Sequence, residues 1–190
     1  MPTSIQAIER PSGETYTSLK FRPGPSKTNV VFDASVADAD LANVTTMEVL
    51  KLGVDAADHV QSVALAANAA AAGFTHLDTT LVGSGESVNI DSTGFANALT
   101  IDGGAGSEVV LLGTGGSVVN AGAGTDHVTV GADNDGVHDD VIHLGASSDR
   151  VELTDSQLSA HLTVSGDDGT DRLEVTDDAS LADADLAGIT

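Results

Sequence analysis

The stretch that decides the fold runs from Gly103 to Thr129 and divides into three nine-residue units, which read GGAGSEVVL, LGTGGSVVN and AGAGTDHVT. Each unit has glycine at its second and fourth positions and valine at its eighth position. The sixth position holds Glu108, Ser117 and Asp126 in turn. A glycine-rich turn can direct carbonyls and a carboxylate at a hard cation, and the short strand after it can bury one apolar side chain. The repeat therefore predicts a coiled chain in which turns and short strands alternate.

Two successive units should make one complete coil. In that arrangement Glu108 and Asp126 stack on one side of the coil, and Ser117 lies on the other side, where a metal site should be poorer. Val110 and Val128 should stack in the interior. We therefore expect a solenoid with a narrow aliphatic core, which agrees with an aromatic content of only 3%.

Turn residues separate a series of short apolar segments along the chain, and each segment is a predicted strand. The predicted strands are Thr75–Thr80, Ser87–Ile90, Ala98–Ile101, Val109–Leu112, Val118–Asn120, His127–Val130, Asp140–Leu144, Arg150–Leu153, Leu162–Val164 and Arg172–Val175. A further strand is predicted over residues 46–52. The alanine-rich segment His59–Ala72 instead predicts a helix, because Val60 and Val63 share one helical face, and this helix should stop at Gly73.

Residues 1–29 differ from the rest of the chain, because they contain all four prolines and four of the seven basic residues. The basic residues are Arg10, Lys20, Arg22 and Lys27. Prolines at this density disfavour a central strand or a helix, so we expect an extended arm before a solenoid over residues 30–190. Two interpretations of the arm stay open: a disordered leader, or a basic strap on an acidic surface of the same chain or of a neighbour.

A longer repeat links the two ends of the sequence. Residues 32–45, FDASVADADLANVT, recur as residues 177–190, DDASLADADLAGIT. The sequence stops inside this second copy. We expect either truncation of a longer protein or an end that a neighbouring copy completes.

The composition is strongly acidic, with 29 Asp and Glu residues against 7 Lys and Arg residues and a formal net charge of -22. Such a polyanion repels nucleic acids and anionic membranes and attracts divalent cations. Solubility or adaptation to high salt is the alternative explanation, but carboxylates clustered in glycine-rich turns favour calcium. Without cysteine or an apolar run of signal-peptide or membrane-helix length, we expect no disulfides and export by a signal-independent route such as type I secretion.

Several later turns keep parts of the nonapeptide pattern and add candidate ligands for calcium, which takes about 6–8 oxygen ligands. The turn at residues 166–171 keeps its glycines, whereas the turn at residues 145–149 has lost one. Residues 131–136 either resemble an EF-hand loop whose first ligand is replaced by Gly131 or form an acidic surface turn. The candidate ligands are Asp102, Glu108, Asp126, Asp133, Asp135, Asp139, Asp149, Asp167, Asp168 and Asp171.

The sequence offers little support for an enzyme. It lacks a Gly-x-Ser-x-Gly motif, a His-Glu-x-x-His motif and a phosphate-binding loop, and its six histidines have no ligand spacing. The segment Asp91-Ser92-Thr93-Gly94 has only a superficial similarity to an aspartic-protease triplet. We therefore predict a protein without catalytic activity.

The nonapeptides resemble the calcium-binding repeat G-G-x-G-x-D-x-U-x of repeats-in-toxin proteins. With the repeated Asp-Ala-Ser segment, the Ala/Thr/Val-rich strands and the lack of cysteine, they make the chain similar to calcium-dependent surface-layer proteins of Gram-negative bacteria. The resemblance implies a mainly β fold, a right-handed parallel β-solenoid with one short helix, that binds Ca2+ through the candidate ligands.

The same resemblance implies an extracellular structural protein of the bacterial cell surface. Its expected activity is calcium-dependent self-assembly, head to tail, into a surface layer or a filament. The expected partners are further copies of the chain and cell-surface polysaccharide, with neither nucleic acid binding nor membrane insertion. Two alternatives stay open: a calcium-stabilised adhesin or binding module, and the repeat region of a type I secreted protein.

Overall fold

The computed structural model describes residues 7–8, 29–32, 35–53, 60–131, 138–158, 161–177 and 188–190. The chain winds into a parallel β-solenoid, so that consecutive strands alternate between two large sheets along most of its length. The predicted solenoid and its one short helix are confirmed in these residues. The right-handed sense of the coil stays a prediction.

All strand pairings in the two large sheets are parallel. The strands in chain order are β1 (Ala7–Ile8), β2 (Asn29–Phe32), β3 (Val49–Leu52), β4 (Val60–Ala64), β5 (His76–Asp78), β6 (Ser87–Asp91), β7 (Leu99–Asp102), β8 (Ser107–Leu111), β9 (Ser117–Asn120), β10 (His127–Thr129), β11 (Asp140–His143), β12 (Ala146–Ser147), β13 (Arg150–Leu153), β14 (Leu162–Ser165), β15 (Asp168–Gly169) and β16 (Arg172–Val175). Sheet A has the order β1-β2-β3-β5-β7-β9-β11-β14, and sheet B has the order β4-β6-β8-β10-β13-β16. A small third sheet pairs β12 with β15.

The nonapeptide register is confirmed by the pairing of β8 with β10, in which Val110 lies opposite Val128. Both valines are fully buried, and they are separated by two nonapeptides, as predicted. The next coil is longer than two nonapeptides, because Val128 pairs with Val151. Each strand predicted between residues 75 and 175 overlaps an observed strand, and the predicted strand over residues 46–52 contains β3.

The interior is a ladder of aliphatic side chains that continues from coil to coil. On sheet B this ladder consists of Val63, Ile90, Val110, Val128 and Val151, each at most 1% exposed. Because a parallel sheet places equivalent residues of successive coils side by side, each side chain packs on its counterparts above and below. Repetition of the same apolar position in each strand therefore builds a continuous row of the core, and most strands add a second buried residue two positions away.

The predicted helix over residues 59–72 is wrong in its first half. Val60–Ala64 forms strand β4, and the helix α1 spans only Ala67–Ala72. Within β4 the buried residues are Gln61 and Val63, which is the alternation of a strand. Pairing of all five β4 residues with β6 outweighs the local helical preference of this segment, because it satisfies the backbone and extends the aliphatic ladder.

Helix α1 begins where a carboxylate from the preceding coil binds its backbone. Asp38, in the 3-10 helix Asp38–Leu41, accepts hydrogen bonds from the backbone N–H groups of Ala66 (2.8 Å), Asn68 (3.1 Å) and Ala69 (2.9 Å). These N–H groups belong to the helix start and have no partner inside the helix. Asp38 thus fixes a helix of only six residues, which alanine content alone would not stabilise.

Replacing Asp38→Ala should lower the free energy of unfolding by about 2 kcal/mol, because three N–H groups lose a charged acceptor. Urea unfolding followed by circular dichroism measures this loss. The matched control is Asp40→Ala, which removes a single bond to the exposed N–H of Ala37 and should cost about half as much or less. Equal losses in the two variants would contradict the role given to Asp38.

Turn glycines allow successive coils to approach closely. Gly124 has a φ of +152°, and a Cβ placed on it would lie 1.8 Å from the carbonyl oxygen of Gly106 in the preceding coil. A Cβ on Gly103 would lie 1.8 Å from the carbonyl oxygen of Ala121. The glycines of the nonapeptide are therefore needed for the stacking of turns as well as for their conformation.

Candidate metal centre

A row of acidic residues runs along sheet B in four successive coils, each two positions before an apolar residue of the interior ladder. We call Glu108, Asp126, Asp149 and Asp171 the carboxylate column. Each aspartate binds the backbone of the preceding coil: Asp126 Oδ1 accepts from Glu108 N (2.7 Å), Asp149 Oδ1 from Asp126 N (2.7 Å) and Asp171 Oδ1 from Asp149 N (3.1 Å). One carboxylate oxygen per aspartate therefore serves to join coils.

Among the described residues, no N–H or O–H group donates to the second oxygen of three column residues. The carboxyl groups of Glu108 and Asp126 are close enough to share a proton with each other. Glu108, Asp126 and Asp149 are 0%, 1% and 4% exposed, and the atoms concerned are Glu108 Oε2, Asp126 Oδ2 and Asp149 Oδ2. The other oxygen of Glu108, Oε1, accepts from Gly104 N (3.2 Å) and Thr79 Oγ1 (3.3 Å). A buried carboxylate oxygen without a donor is unfavourable unless a proton or a cation compensates it. Protons or a hard cation would compensate these oxygens.

The pKa values of the column agree with the need for a proton or a cation at these buried oxygens. Burial, together with the neighbouring charge of Asp126, raises the pKa of Glu108 to about 8. Burial likewise raises the pKa of Asp126 to about 6 and raises that of Asp149 above its ordinary value. Near neutral pH these carboxyl groups therefore hold protons more tightly than exposed ones, and a divalent cation would replace those protons.

Sheet A carries different polar side chains at the equivalent position of the repeat. Ser117 lies in β9 of sheet A, on the other sheet from Glu108 and Asp126, as predicted. Its backbone N–H donates to Asp140 Oδ1 (2.7 Å), and its hydroxyl donates to the Gly115 carbonyl (3.2 Å). Asp140 is not among the predicted ligands, although its position two residues before buried Ile142 repeats the spacing of the column.

The turn at residues 166–171 contributes to the column through Asp171 alone. Asp167 has a φ of 59°, and its carboxylate accepts from Ser165 Oγ (2.7 Å) and more weakly from Gly145 N (3.3 Å). Asp168 is exposed in β15. These two aspartates lie in the turn, outside the row of buried carboxylates.

The candidate ligands Asp102 and Asp139 lie away from the column. Asp102 lies in β7 of sheet A, where its carboxylate contacts His76 Nε2 (2.7 Å) and accepts from Asn120 Nδ2 (2.7 Å). Asp139 is exposed and contacts His161 Nδ1 (2.7 Å). Their side chains pair with histidines of other coils, a contact that sequence proximity to a glycine turn does not predict.

Asp133 and Asp135 lie outside the described residues. Within the described ranges, no three His, Cys, Asp or Glu side chains converge on one point as a metal site. The column supplies one carboxylate from each coil, so a cation there would take further ligands from carbonyls of the glycine turns. A mixed set of carboxylate and carbonyl ligands suits calcium, which accepts both kinds of oxygen.

The fold and the column define the protein as a parallel β-solenoid with buried carboxylates along one sheet. No protein-family model, curated protein sequence or solved structure matches the chain. In the part of the chain that the structure describes, no helix is long and apolar enough to cross a bilayer.

Proposed function

We propose that the protein is a calcium-stabilised structural solenoid of the bacterial cell surface that self-assembles when calcium is bound. The observation that carries this proposal is the set of unpartnered buried oxygens on Glu108, Asp126 and Asp149. Burial of three carboxylates in adjacent coils is unfavourable in the free protein and becomes favourable once a divalent cation is bound.

Calcium would be held by the column together with the turns that precede it. Carboxylate oxygens from successive coils lie near glycine-rich turns, whose backbone carbonyls are the other ligand type that calcium accepts. The bound ion would neutralise the column and stiffen the stack of coils. We expect a dissociation constant of about 10⁻⁴–10⁻³ M, the range of extracellular calcium modules.

Charge also supports a role for calcium in assembly. The chain carries a formal net charge of -22, so copies of it repel one another over distances of about 8–10 Å at physiological salt. Cation binding reduces this repulsion. The open ends of a solenoid expose strand edges, which favours association of further chains.

The outer surface of sheet A does not favour the adhesin alternative. A flat ladder of threonines would suit ligand binding, but the row in register there reads Thr100, Val118, Val141 and Thr163. The row beside it contains Asp102, Asn120, His143 and Ser165. Mixed rows of this kind are ordinary for a solvated sheet face.

Electron microscopy of the purified chain tests the proposal. We expect ordered sheets or filaments in millimolar calcium and dispersed particles in chelator, with reassembly when calcium is restored. Magnesium at the same concentration is the control for charge screening, because it prefers a rigid octahedral site and retains water. Dispersed particles under every condition, or equal assembly in chelator, would contradict the proposal.

A further inference from the structure

The outer face of sheet B carries two rows of side chains that run along the solenoid axis. Each strand contributes two outward residues, one on either side of its residue in the interior ladder. The first row consists of Val109, His127, Arg150 and Arg172. The second row, two positions later in each strand, consists of Leu111, Thr129, Glu152 and Glu174. The first row is therefore basic where the second row is acidic.

Ion pairs within this face hold the charged groups in place without covering them. Arg150 Nη2 lies 2.6 Å from Glu152 Oε2, and Arg150 Nη1 lies 3.2 Å from Glu174 Oε2. Arg172 Nη2 also lies 3.2 Å from Glu174 Oε2. The side chains of Arg150 and Arg172 nevertheless remain 37% and 66% exposed. A guanidinium has five N–H donors and a carboxylate about four acceptor positions, so each group can take a further partner.

Positive charge in the described residues is concentrated on this face. The lysines and arginines of the described ranges are Lys51, Arg150 and Arg172, and the two arginines both lie in the first row. The whole chain has a formal net charge of -22, so two copies repel each other unless they meet where charges are paired. The outer face of sheet B therefore offers two copies a contact with balanced charge.

We propose that the outer face of sheet B is a lateral contact between two copies of this chain, related by a two-fold axis parallel to the solenoid. Such an axis places the first row of each copy opposite the second row of the other. A residue of the first row then faces the partner's residue two positions later in the strand. Arg150 would face the partner's Glu152, and Arg172 would face the partner's Glu174. Each of these ion pairs occurs twice, because the contact is symmetric.

The same arrangement matches the remaining positions of the two rows. Val109 would face the partner's Leu111, which is 38% exposed, and His127 would face the hydroxyl of the partner's Thr129. Neighbouring strands lie about 4.8 Å apart in both copies, so the facing rows stay in step from coil to coil. Each facing pair thus combines opposite charges or similar polarity.

Other ways of joining two copies face to face are less favourable. A two-fold axis across the coils would place each row opposite itself, so that basic side chains would oppose basic side chains. The outer face of sheet A is not self-complementary either. With the axis parallel to the solenoid, Val118 would face the partner's Asn120, and Val141 would face the partner's His143. Charge and polarity therefore favour a parallel pair that meets through sheet B.

A parallel pair adds a second direction to the assembly. Contact between the ends of two solenoids extends the stack of coils along its axis, whereas contact through sheet B joins two solenoids side by side. The inference rests on the proposed function, because it names one contact between the assembling copies.

Sedimentation equilibrium of the full chain in calcium, at concentrations below those that give sheets or filaments, tests this contact. We expect a reversible dimer that weakens at high salt, because its ion pairs are exposed. Arg172→Glu and Glu174→Arg should each weaken the dimer about tenfold or more, since each variant brings like charges together at two symmetric positions. An equimolar mixture of the two variants should restore the dimer, because the glutamates of one copy then face the arginines of the other.

The control variant Lys51→Glu makes the same change in net charge on sheet A and should dimerise like the unchanged chain. Four results would each overturn the inference: a monomeric unchanged chain, normal dimerisation of Arg172→Glu, equal weakening by Lys51→Glu, or a mixture no tighter than its components. Sheets or filaments that still form in calcium in those cases would leave the proposed function standing. A dimer that behaves as expected without calcium-dependent assembly in the microscope would overturn the proposed function alone.

Discussion

At about pH 8, chelation of calcium should lower the melting temperature of the chain by roughly 10–20 °C. Each ion bound at about one hundred times its dissociation constant would contribute about 2.7 kcal/mol to the folded state, so two such ions would contribute about 5 kcal/mol. For a chain of about this length, each kcal/mol corresponds to about 2–4 °C. Calorimetry or thermal circular dichroism in excess calcium and in chelator measures the difference.

The effect of chelation should shrink as the pH is lowered to about 5.5. The folded pKa of Glu108 is raised to about 8 from an ordinary value of 4.5, and that of Asp126 is raised to about 6. Between the ordinary and the raised values, the folded chain binds more protons than the unfolded chain, so calcium-free stability falls as the pH rises. Calcium replaces these protons, and its contribution therefore grows over the same window. Melting temperatures that match in calcium and chelator at pH 8 would contradict a calcium site in the column.

The substitution Asp126→Asn should have opposite effects with and without calcium. Asparagine retains a carbonyl oxygen for the N–H of Glu108, but it carries no charge for a cation and leaves no buried charge when the cation is missing. In chelator at pH 8 the variant should be more stable than the unchanged chain by about 1–2 kcal/mol. In calcium it should be less stable by about 2–4 kcal/mol, because one ion loses a ligand. Denaturant unfolding in the two buffers checks both signs.

Asp126→Ala separates the backbone role from the role of the charge. Like Asp126→Asn it removes the charge, but it also leaves the N–H of Glu108 buried and unpaired. It should therefore be less stable than Asp126→Asn by about 1–3 kcal/mol in either buffer. The control Asp78→Ala removes a partly exposed carboxylate that pairs with Lys51 and Thr80, and it should cost less than Asp126→Ala in calcium. An Asp126→Asn variant that is destabilised equally in calcium and in chelator would indicate a purely structural aspartate.

Much of the solenoid was predictable from local patterns in the sequence. The valines at the eighth position predicted the pairing of Val110 with Val128, because a parallel coil brings equivalent positions of a repeat together. The strands Arg150–Leu153 and Arg172–Val175 have the bounds predicted from apolar residues and turn signals. The nine-residue period also predicted that Glu108 and Asp126 stack on one sheet and that Ser117 lies on the other.

Coil length was decided by the tertiary structure. The sequence pattern predicts that two nonapeptides complete each coil. Two coils are longer than two nonapeptides: the coil from Val60 in β4 to its partner Ser87 in β6, and the coil from β10 to β13. The additional residues form turns and the helix α1, whose start depends on Asp38 in the coil before it. Contacts of this kind join residues far apart in sequence, so local propensity could not separate the strand Val60–Ala64 from the helix that follows.

The roles of individual carboxylates also depended on the neighbouring coil. The sequence by itself determined which residues are acidic and how they are spaced, and this was enough to predict Glu108, Asp126, Asp149 and Asp171 as candidates. Only the tertiary structure decided that these four share one row of backbone contacts and that Asp102 pairs with His76 on sheet A. The physical reason is that the pKa and the hydrogen bonds of a carboxylate depend on the donors and the burial around it. In a solenoid the coils before and after the carboxylate supply both.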